Sequence, residues 1–253
     1  MDYKDLLNAA LRAAEEASRV ILDVYGSDDF QTEQKADDSP VTIADKRAHT
    51  VIVKHLETTG LPILSEEGAE IPYAERSQWA YFWMVDPLDG TKEFLKRNGD
   101  FTVNIALISQ GVPRLGVVAI PVTGEIYYSA PGCGAFKRTD GRDVVLHKRT
   151  TADRSRQGLR VMASRTHLDD QTVSFIDGLT EPVLVSRGSS LKFLLLAEGL
   201  ADLYPRFGRT MEWDTAAAHA IVNGVGLPVY QMGQVVELQY NKKDLSNPGF
   251  LAG

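Results

Sequence analysis

The chain has 253 residues, 43% hydrophobic, 24% charged and 8% aromatic, a globular composition that excludes collagen-like, mucin-like and membrane-bundle architectures. Lys and Arg number 27 against 34 Asp and Glu, so the net charge is −7, which disfavours a nucleic-acid polymer as partner. A small phosphorylated substrate, neutralised by divalent cations and a few placed basic residues, suits that balance better. The single cysteine, Cys133, excludes a disulfide scaffold, a zinc ribbon or an iron–sulfur site, reads as structural, and predicts a reducing cytoplasm. The charged opening Met1-Asp2-Tyr3-Lys4-Asp5 predicts no targeting segment, and no stretch reaches the roughly 20 apolar residues of a membrane span.

From Tyr3 to Tyr25, Leu6, Ala10, Ala14, Ala17, Ile21 and Val24 recur at three- and four-residue steps, the period of one buried helix face. After the polar stretch Gly26 to Pro40, Thr42 with Asp45 begins a second helix that Gly60 and Pro62 stop. Strands follow at Leu61 to Leu64, Tyr81 to Val85, Phe101 to Ser109, Leu115 to Ile120, Glu125 to Ser129 and Gly134 to Lys137, a meander of mainly antiparallel strands. The stretch Lys137 to Gly158 breaks the apolar pattern without reading as regular structure, and the boundary between two lobes is placed there, at 1–150 and 151–253.

The second lobe alternates: strand Leu159 to Ala163, helix Asp169 to Gly178, strand Pro182 to Ser186, helix Ser189 to Glu198, strand Ala201 to Tyr204, helix Thr215 to Asn223, strand Pro228 to Tyr230. The expected class is α/β (α+β), with an antiparallel-sheet lobe preceding an α/β lobe. Gly224-Val225-Gly226 lacks the third glycine of a dinucleotide fingerprint and follows a helix, so it reads as a helix-ending turn. Trp79, Trp83, Tyr127 and Tyr128 are assigned to the core or its margins.

Chemistry concentrates where an apolar strand, Trp83-Met84-Val85, runs into Asp86-Pro87-Leu88-Asp89-Gly90-Thr91. Pro87 removes an amide donor and is expected to end the strand, and Asp89-Gly90 favours a turn, so Asp86 and Asp89 can face one small space. Two adjacent carboxylates repel unless a divalent cation lies between them, and the Leu88 carbonyl is a hard ligand suited to Mg²⁺. Taken alone the segment also reads as a surface turn, Glu66-Glu67 as a solvated pair and Asp214 as a helix cap. Together they read as a multi-metal site. The Gly90 and Thr91 amides, past the turn, are placed to cradle a phosphate.

Ser65-Glu66-Glu67-Gly68 after a strand, Asp86-Pro87-Leu88-Asp89-Gly90-Thr91, and Trp213-Asp214-Thr215-Ala216-Ala217, spaced by about 20 and 125 residues, resemble the lithium-sensitive, Mg²⁺-dependent phosphatases that include inositol monophosphatase and fructose-1,6-bisphosphatase. The segments Lys35 to Thr42, Asp89 to Phe94, Asn98 to Asn104, Gly188 to Phe193 and Leu203 to Gly208 are similar to one branch, the CysQ-type 3′(2′),5′-bisphosphate nucleotidases; the likeness runs from about Lys35 to Phe250. The resemblance implies a layered α/β/α/β/α sandwich. It also implies release of the 3′-phosphate of adenosine 3′,5′-bisphosphate, giving AMP and phosphate, in sulfur assimilation.

Carried onto this chain, the resemblance gives Glu66, Asp86 and the Leu88 carbonyl to one Mg²⁺ and Asp86, Asp89 and Asp214 to a second, with two or three ions in all. Thr91, oriented by Asp45, positions the attacking water, with Glu66 and Glu67 close by. Leu88, Asp89, Gly90, Thr91 and Asp214 meet the scissile phosphate, while His167, Ser189, Lys192 and Arg206 take the nucleotide and its other phosphate. Inhibition by Li⁺ and Ca²⁺ is expected, Ca²⁺ because its larger radius disturbs a Mg²⁺ geometry. Acceptance of 3′-phosphoadenosine 5′-phosphosulfate, a loose association with the inner membrane face, and the choice between a monomer and a weak dimer stay open. The alternatives are a sugar or inositol phosphate phosphatase with the same metal core, or a non-catalytic regulatory relative.

Overall fold

The computed structural model describes residues 2–27, 30, 32–34, 40–163 and 169–253. His167 and the segment 35–39 lie outside the described residues.

Helix α1 (Tyr3–Tyr25) is capped by Asp2, whose side chain accepts from the Lys4 N–H at 2.8 Å, and buries the predicted face Leu6, Ala10, Ala14, Ala17, Ile21 and Val24. A two-stranded ribbon, β1 (Glu33–Gln34) and β2 (Pro40–Val41), leads to α2 (Ile43–Leu56). There Thr42 and Asp45 form the predicted capping box, and Ala44, Ala48, Ile52 and Leu56 turn inward.

The chain then lays down β3 (Ile63–Ser65), the short α3 (Tyr73–Arg76), β4 (Tyr81–Asp89), the short α4 (Thr91–Leu95), β5 (Thr102–Ser109), β6 (Val112–Ile120), β7 (Glu125–Ala130), β8 (Gly134–Thr139) and β9 (Arg142–Val145). The seven strands form one sheet in chain order, in which only β3 and β4 are parallel. The meander is therefore mainly antiparallel as expected, with two corrections. Part of the stretch read as irregular, Lys137 to Gly158, completes β8 and forms β9, because the turn at Asp140 and Gly141 folds exposed residues back onto β8. Pro87 does not end β4: the register slips by one residue between Asp86↔Asn104 and Asp89↔Thr102, and the proline sits in that bulge, where no ladder donor is required.

Next come β10 (Arg160–Met162), α5 (Asp170–Asp177), β11 (Val183–Val185), α6 (Leu191–Glu198), β12 (Tyr204–Arg206), α7 (Glu212–Gly224), β13 (Val229–Gln231) and β14 (Phe250–Ala252). β10 pairs in parallel with β11, and β14 is the centre of a three-stranded sheet with β12 and β13. The sequence shows no signal for β14, whose three residues are strand only through their partners. α7 starts at Glu212, ahead of the expected Thr215, so Asp214 lies inside its first turn.

The layers follow from alternation along the central strands. Trp83, Val85, Ile105, Leu107 and Val117 face α1 and α2. Phe82, Met84, Ala106, Ile108 and Val118 face α6 and α7, and the same core continues through Tyr204, Val229 and Phe250 of the small sheets. With α5 packed on β12, the order is α/β/α/β/α. Close approach of α7 to the large sheet depends on Gly116 of β6: a Cβ there would lie 2.1 Å from the Ala217 carbonyl oxygen. No helix among the described residues is long and apolar enough to cross a membrane. Cys133, read from sequence as structural, is exposed in the turn between β7 and β8.

Candidate active site

The site is assembled at the end of β4. Asp86 is 2% exposed, accepts from the Leu88 N–H at 3.0 Å, and hydrogen-bonds the Glu66 carboxyl, which the β3–β4 pairing brings alongside. Burial, then the charges of Glu66, Asp89 and Asp214, push the Asp86 carboxyl well above the usual carboxylate range. Asp214 is pushed up to about 8, first by burial and then by Asp89. One Asp214 oxygen accepts from the Met211 N–H at 2.8 Å, which fixes it at the α7 terminus. Gly90 turns the chain out of β4 with φ 95°, and a Cβ there would meet the Asp100 carbonyl oxygen at 3.0 Å, so glycine is required on both counts.

Three parts of the fold, the end of β3, β4 and the start of α7, thus bring Glu66, Asp86, Asp89 and Asp214 to one place, as the sequence predicts. Among the described residues no three His, Cys, Asp or Glu side chains are already gathered as a finished ligand set. The donors still fit a hard divalent cation. They are carboxylates and a carbonyl, one carboxylate is fully buried, and Asp86 and Glu66 share a hydrogen bond that requires a proton where a cation would otherwise balance the charge. Glu66, Asp86, Asp89, Asp214 and the Leu88 carbonyl are therefore the residues that would hold Mg²⁺.

Beside this cluster, the Thr91 hydroxyl proton is shared between Asp45 Oδ1 at 3.2 Å and the Leu88 carbonyl at 3.3 Å. Asp45 is 3% exposed, and its other oxygen accepts from the Thr42 N–H and hydroxyl. Burial, reinforced by Glu67, raises the Asp45 carboxyl to about 6, while the bonds from Thr42 pull it down.

A cavity of about 190 Å³ is lined by Asp89 and Asp214 together with Ser189, Lys192, Arg206 and Arg209. It shares Ser189, Lys192 and Arg206 with a neighbour of about 460 Å³ that runs toward Lys96 and Arg187. A cavity of equal size by α1, lined by Asp5, Arg12 and Thr58, holds none of these groups, so convergence of charge rather than volume locates the chemistry. Lys192 Nζ donates to the Ser189 carbonyl at 3.1 Å and lies 5.6 Å from the Tyr204 ring centroid. Arg206 Nε is buried without a partner among the described residues, a fork with donor capacity to spare.

Thr102, Asn104 and Ser190 lie in segments that carry the resemblance but receive no role from the sequence; all are buried and hydrogen-bonded to one another or to Asp89. The available signal was two polar residues at a two-residue step, Thr102 and Asn104, ahead of the apolar run Ile105 to Ile108 in the same strand.

The chain matches the model of the inositol monophosphatase family over residues 2–253. The 3′(2′),5′-bisphosphate nucleotidase CysQ of Salmonella typhimurium is 46% identical over 255 residues, covering 97% of this chain and 98% of its own. Its namesake from Escherichia coli strain K12 is 45% identical over 258 residues, with the same coverage. The crystal structure of CysQ from Bacteroides thetaiotaomicron, also 45% identical, superposes with a TM-score of 0.84 over 97% of this chain and 96% of that one. Matched from end to end and folded in the same layers, the chain belongs to the inositol monophosphatase family.

Proposed function

We propose that the chain is a Mg²⁺-dependent 3′(2′),5′-bisphosphate nucleotidase that hydrolyses the 3′-phosphate of adenosine 3′,5′-bisphosphate to AMP and phosphate in cytoplasmic sulfur assimilation. The observation that carries it is the cleft whose lining joins Asp89 and Asp214 with Ser189, Lys192 and Arg206. A monophosphate needs only the acidic end; a second phosphate gives the cations a purpose. Nearly full-length identity of 46% to a protein of that name supports the same reading.

The family generally uses Mg²⁺, which when bound lowers the pKa of a coordinated water and neutralises charge on the leaving oxygen. The chain's own residues do the rest. Thr91 gives its proton to Asp45 and Leu88, so its oxygen is left to accept from a water and aim it at phosphorus. Gly90 and Thr91 direct backbone N–H groups to the phosphoryl oxygens. Ser189, Lys192 and Arg206 hold the remote phosphate, which fixes the ester in line. Two or three ions are expected, with Li⁺ and Ca²⁺ as inhibitors.

Phosphate release from adenosine 3′,5′-bisphosphate and from inositol 1-phosphate, each with Mg²⁺ and with or without Li⁺, tests this. Fast, Li⁺-sensitive release from the bisphosphate with AMP as product is expected. A preference for the inositol ester would keep the metal reading and remove the substrate assignment; no release from either would remove both.

A further inference from the structure

We propose that Ser190, held by Asn104, is a positioning residue that sets the geometry between Asp89 and Asp214, an inference that rests on the metal reading above. The Ser190 N–H donates to Asp89 Oδ2 at 2.8 Å, and its hydroxyl lies 3.1 Å from the same oxygen and 2.9 Å from the Asp214 carbonyl oxygen. Asn104 Nδ2 donates to Ser190 Oγ at 2.9 Å and reaches Asp89 Oδ2 at 3.4 Å. These donors converge on one oxygen, which fixes the plane of the Asp89 carboxylate and therefore the direction of Oδ1. The same hydroxyl reaches the main-chain carbonyl of Asp214, so one side chain ties the Asp89 carboxylate to the backbone that carries the Asp214 carboxylate.

The network continues from Asn104 to Ser189. Thr102 donates to Asn104 Oδ1 at 3.1 Å, and its hydroxyl lies 2.6 Å from that of Ser189. Ser189 holds φ 49°, a left-handed conformation that a non-glycine residue keeps only when its surroundings over-determine it. Here they do: the Gly188 N–H donates to Asp100 Oδ2 at 2.9 Å, and Ser190 and Thr102 fix the other side. Thr102, Asn104 and Ser190 are 0%, 1% and 2% exposed. Three fully buried polar side chains are a costly way to fill space, since an apolar set of the same volume would need no partners. Their placement is accounted for by what they hold, because hydrogen bonds behind a metal ligand orient it and tune its affinity.

The test is calorimetric titration of Mg²⁺ into the full chain without substrate, paired with the Mg²⁺ dependence of kcat on adenosine 3′,5′-bisphosphate. Ser190→Ala is expected to weaken Mg²⁺ half-saturation about tenfold in both measurements, with a smaller change in KM at saturating Mg²⁺. Asn104→Ala, which removes the donor behind the Ser190 hydroxyl while leaving that hydroxyl in place, is expected to move both in the same direction. Folded variants with an unchanged Mg²⁺ titration and only a lower Tm would overturn the proposal and leave both residues as packing. A wild-type chain that takes up no Mg²⁺ would overturn the metal reading and this inference with it, a result distinct from the first.

Discussion

Asp45 and Thr91 are hydrogen-bonded at 3.2 Å through Asp45 Oδ1, while Asp45 Oδ2 closes the amino terminus of α2 on Thr42. One carboxylate therefore serves a helix cap and a candidate catalytic hydroxyl. Thr91→Ala is expected to lower kcat by roughly 10²- to 10³-fold with KM little changed, and Thr91→Ser to recover most of the loss. Asp45→Asn keeps the cap in part but loses the charge toward Thr91, so it should follow Thr91→Ala in kcat. Steady-state kinetics on all three, with circular dichroism as a fold control, checks this; equal loss in Thr91→Ser would remove the hydroxyl from the mechanism.

Asp86 is held against its own chemistry. Its carboxyl is buried and surrounded by Glu66, Asp89 and Asp214, so at neutral pH without metal the ionised form strains the fold. Asp86→Asn keeps an oxygen for the Leu88 N–H and drops the charge. It is expected to be inactive yet more stable than wild type in EDTA, by about 1 kcal/mol. Thermal melts with and without Mg²⁺ read both effects, and a less stable variant in EDTA would contradict the account of the site as a cluster of repelling charges.

Acid sensitivity is expected from a second locus, far from the carboxylates in function. His219 is fully buried on α7, with Nε2 2.8 Å from Glu237 Oε2 and Nδ1 2.9 Å from the Tyr240 hydroxyl. Burial lowers its pKa, and Glu237 opposes that shift. A base with a depressed folded pKa binds fewer protons folded than unfolded, so its contribution is complete above the unfolded value of about 6.5 and lost as pH falls below it. Glu237, lowered chiefly by its bond to His219, adds a further loss below about 4.5. Asp45, Asp86 and Asp214, all raised, act in the opposite direction over the same range, so the readout is a difference: the urea midpoint of wild type minus that of His219→Gln should fall from pH 8 to pH 5. Parallel curves would show that another group governs the acid limb.

The contact between β6 and α7 leaves no room for a side chain on the sheet at Gly116. A Cβ on Gly116 would lie 2.1 Å from the Ala217 carbonyl oxygen and 2.9 Å from Ala220 Cβ, both on a helix with nowhere to withdraw. Gly116→Ala should cost about 3 kcal/mol, and because Ala217 is one turn from Asp214, residual activity should need more Mg²⁺. Chemical denaturation and a Mg²⁺ titration measure these separately; a loss below about 0.5 kcal/mol, the scale of a neutral surface change, would mean that α7 docks more loosely than described.

Local signals carried well from sequence to structure, and tertiary ones did not. Thr42 and Asp45 form their box because a cap is a three-residue affair, and the face of α1 follows from its period alone. The acidic segments were legible because strand, proline and Asp-Gly stand next to each other in the chain. Pro87 misled because a bulge depends on the partner strand β5, which the segment itself does not announce. β9 and β14 are too short to show a period and owe their form to β8, β12 and β13. Ser190 received no role because Asp89 lies 101 residues away and its tie to Asn104 spans 86.

The docking of α7 also orders events in time. Glu66, Asp86, Leu88 and Asp89 all leave the ribosome early, in β3, β4 and the turn between them, while Asp214 arrives on the helix that must first seat against Gly116. Until that helix is seated, Asp214 is missing from the cluster that Glu66, Asp86 and Asp89 form. The site is therefore complete only once residues more than a hundred positions apart have met, and its assembly reports the docking of α7 on the sheet.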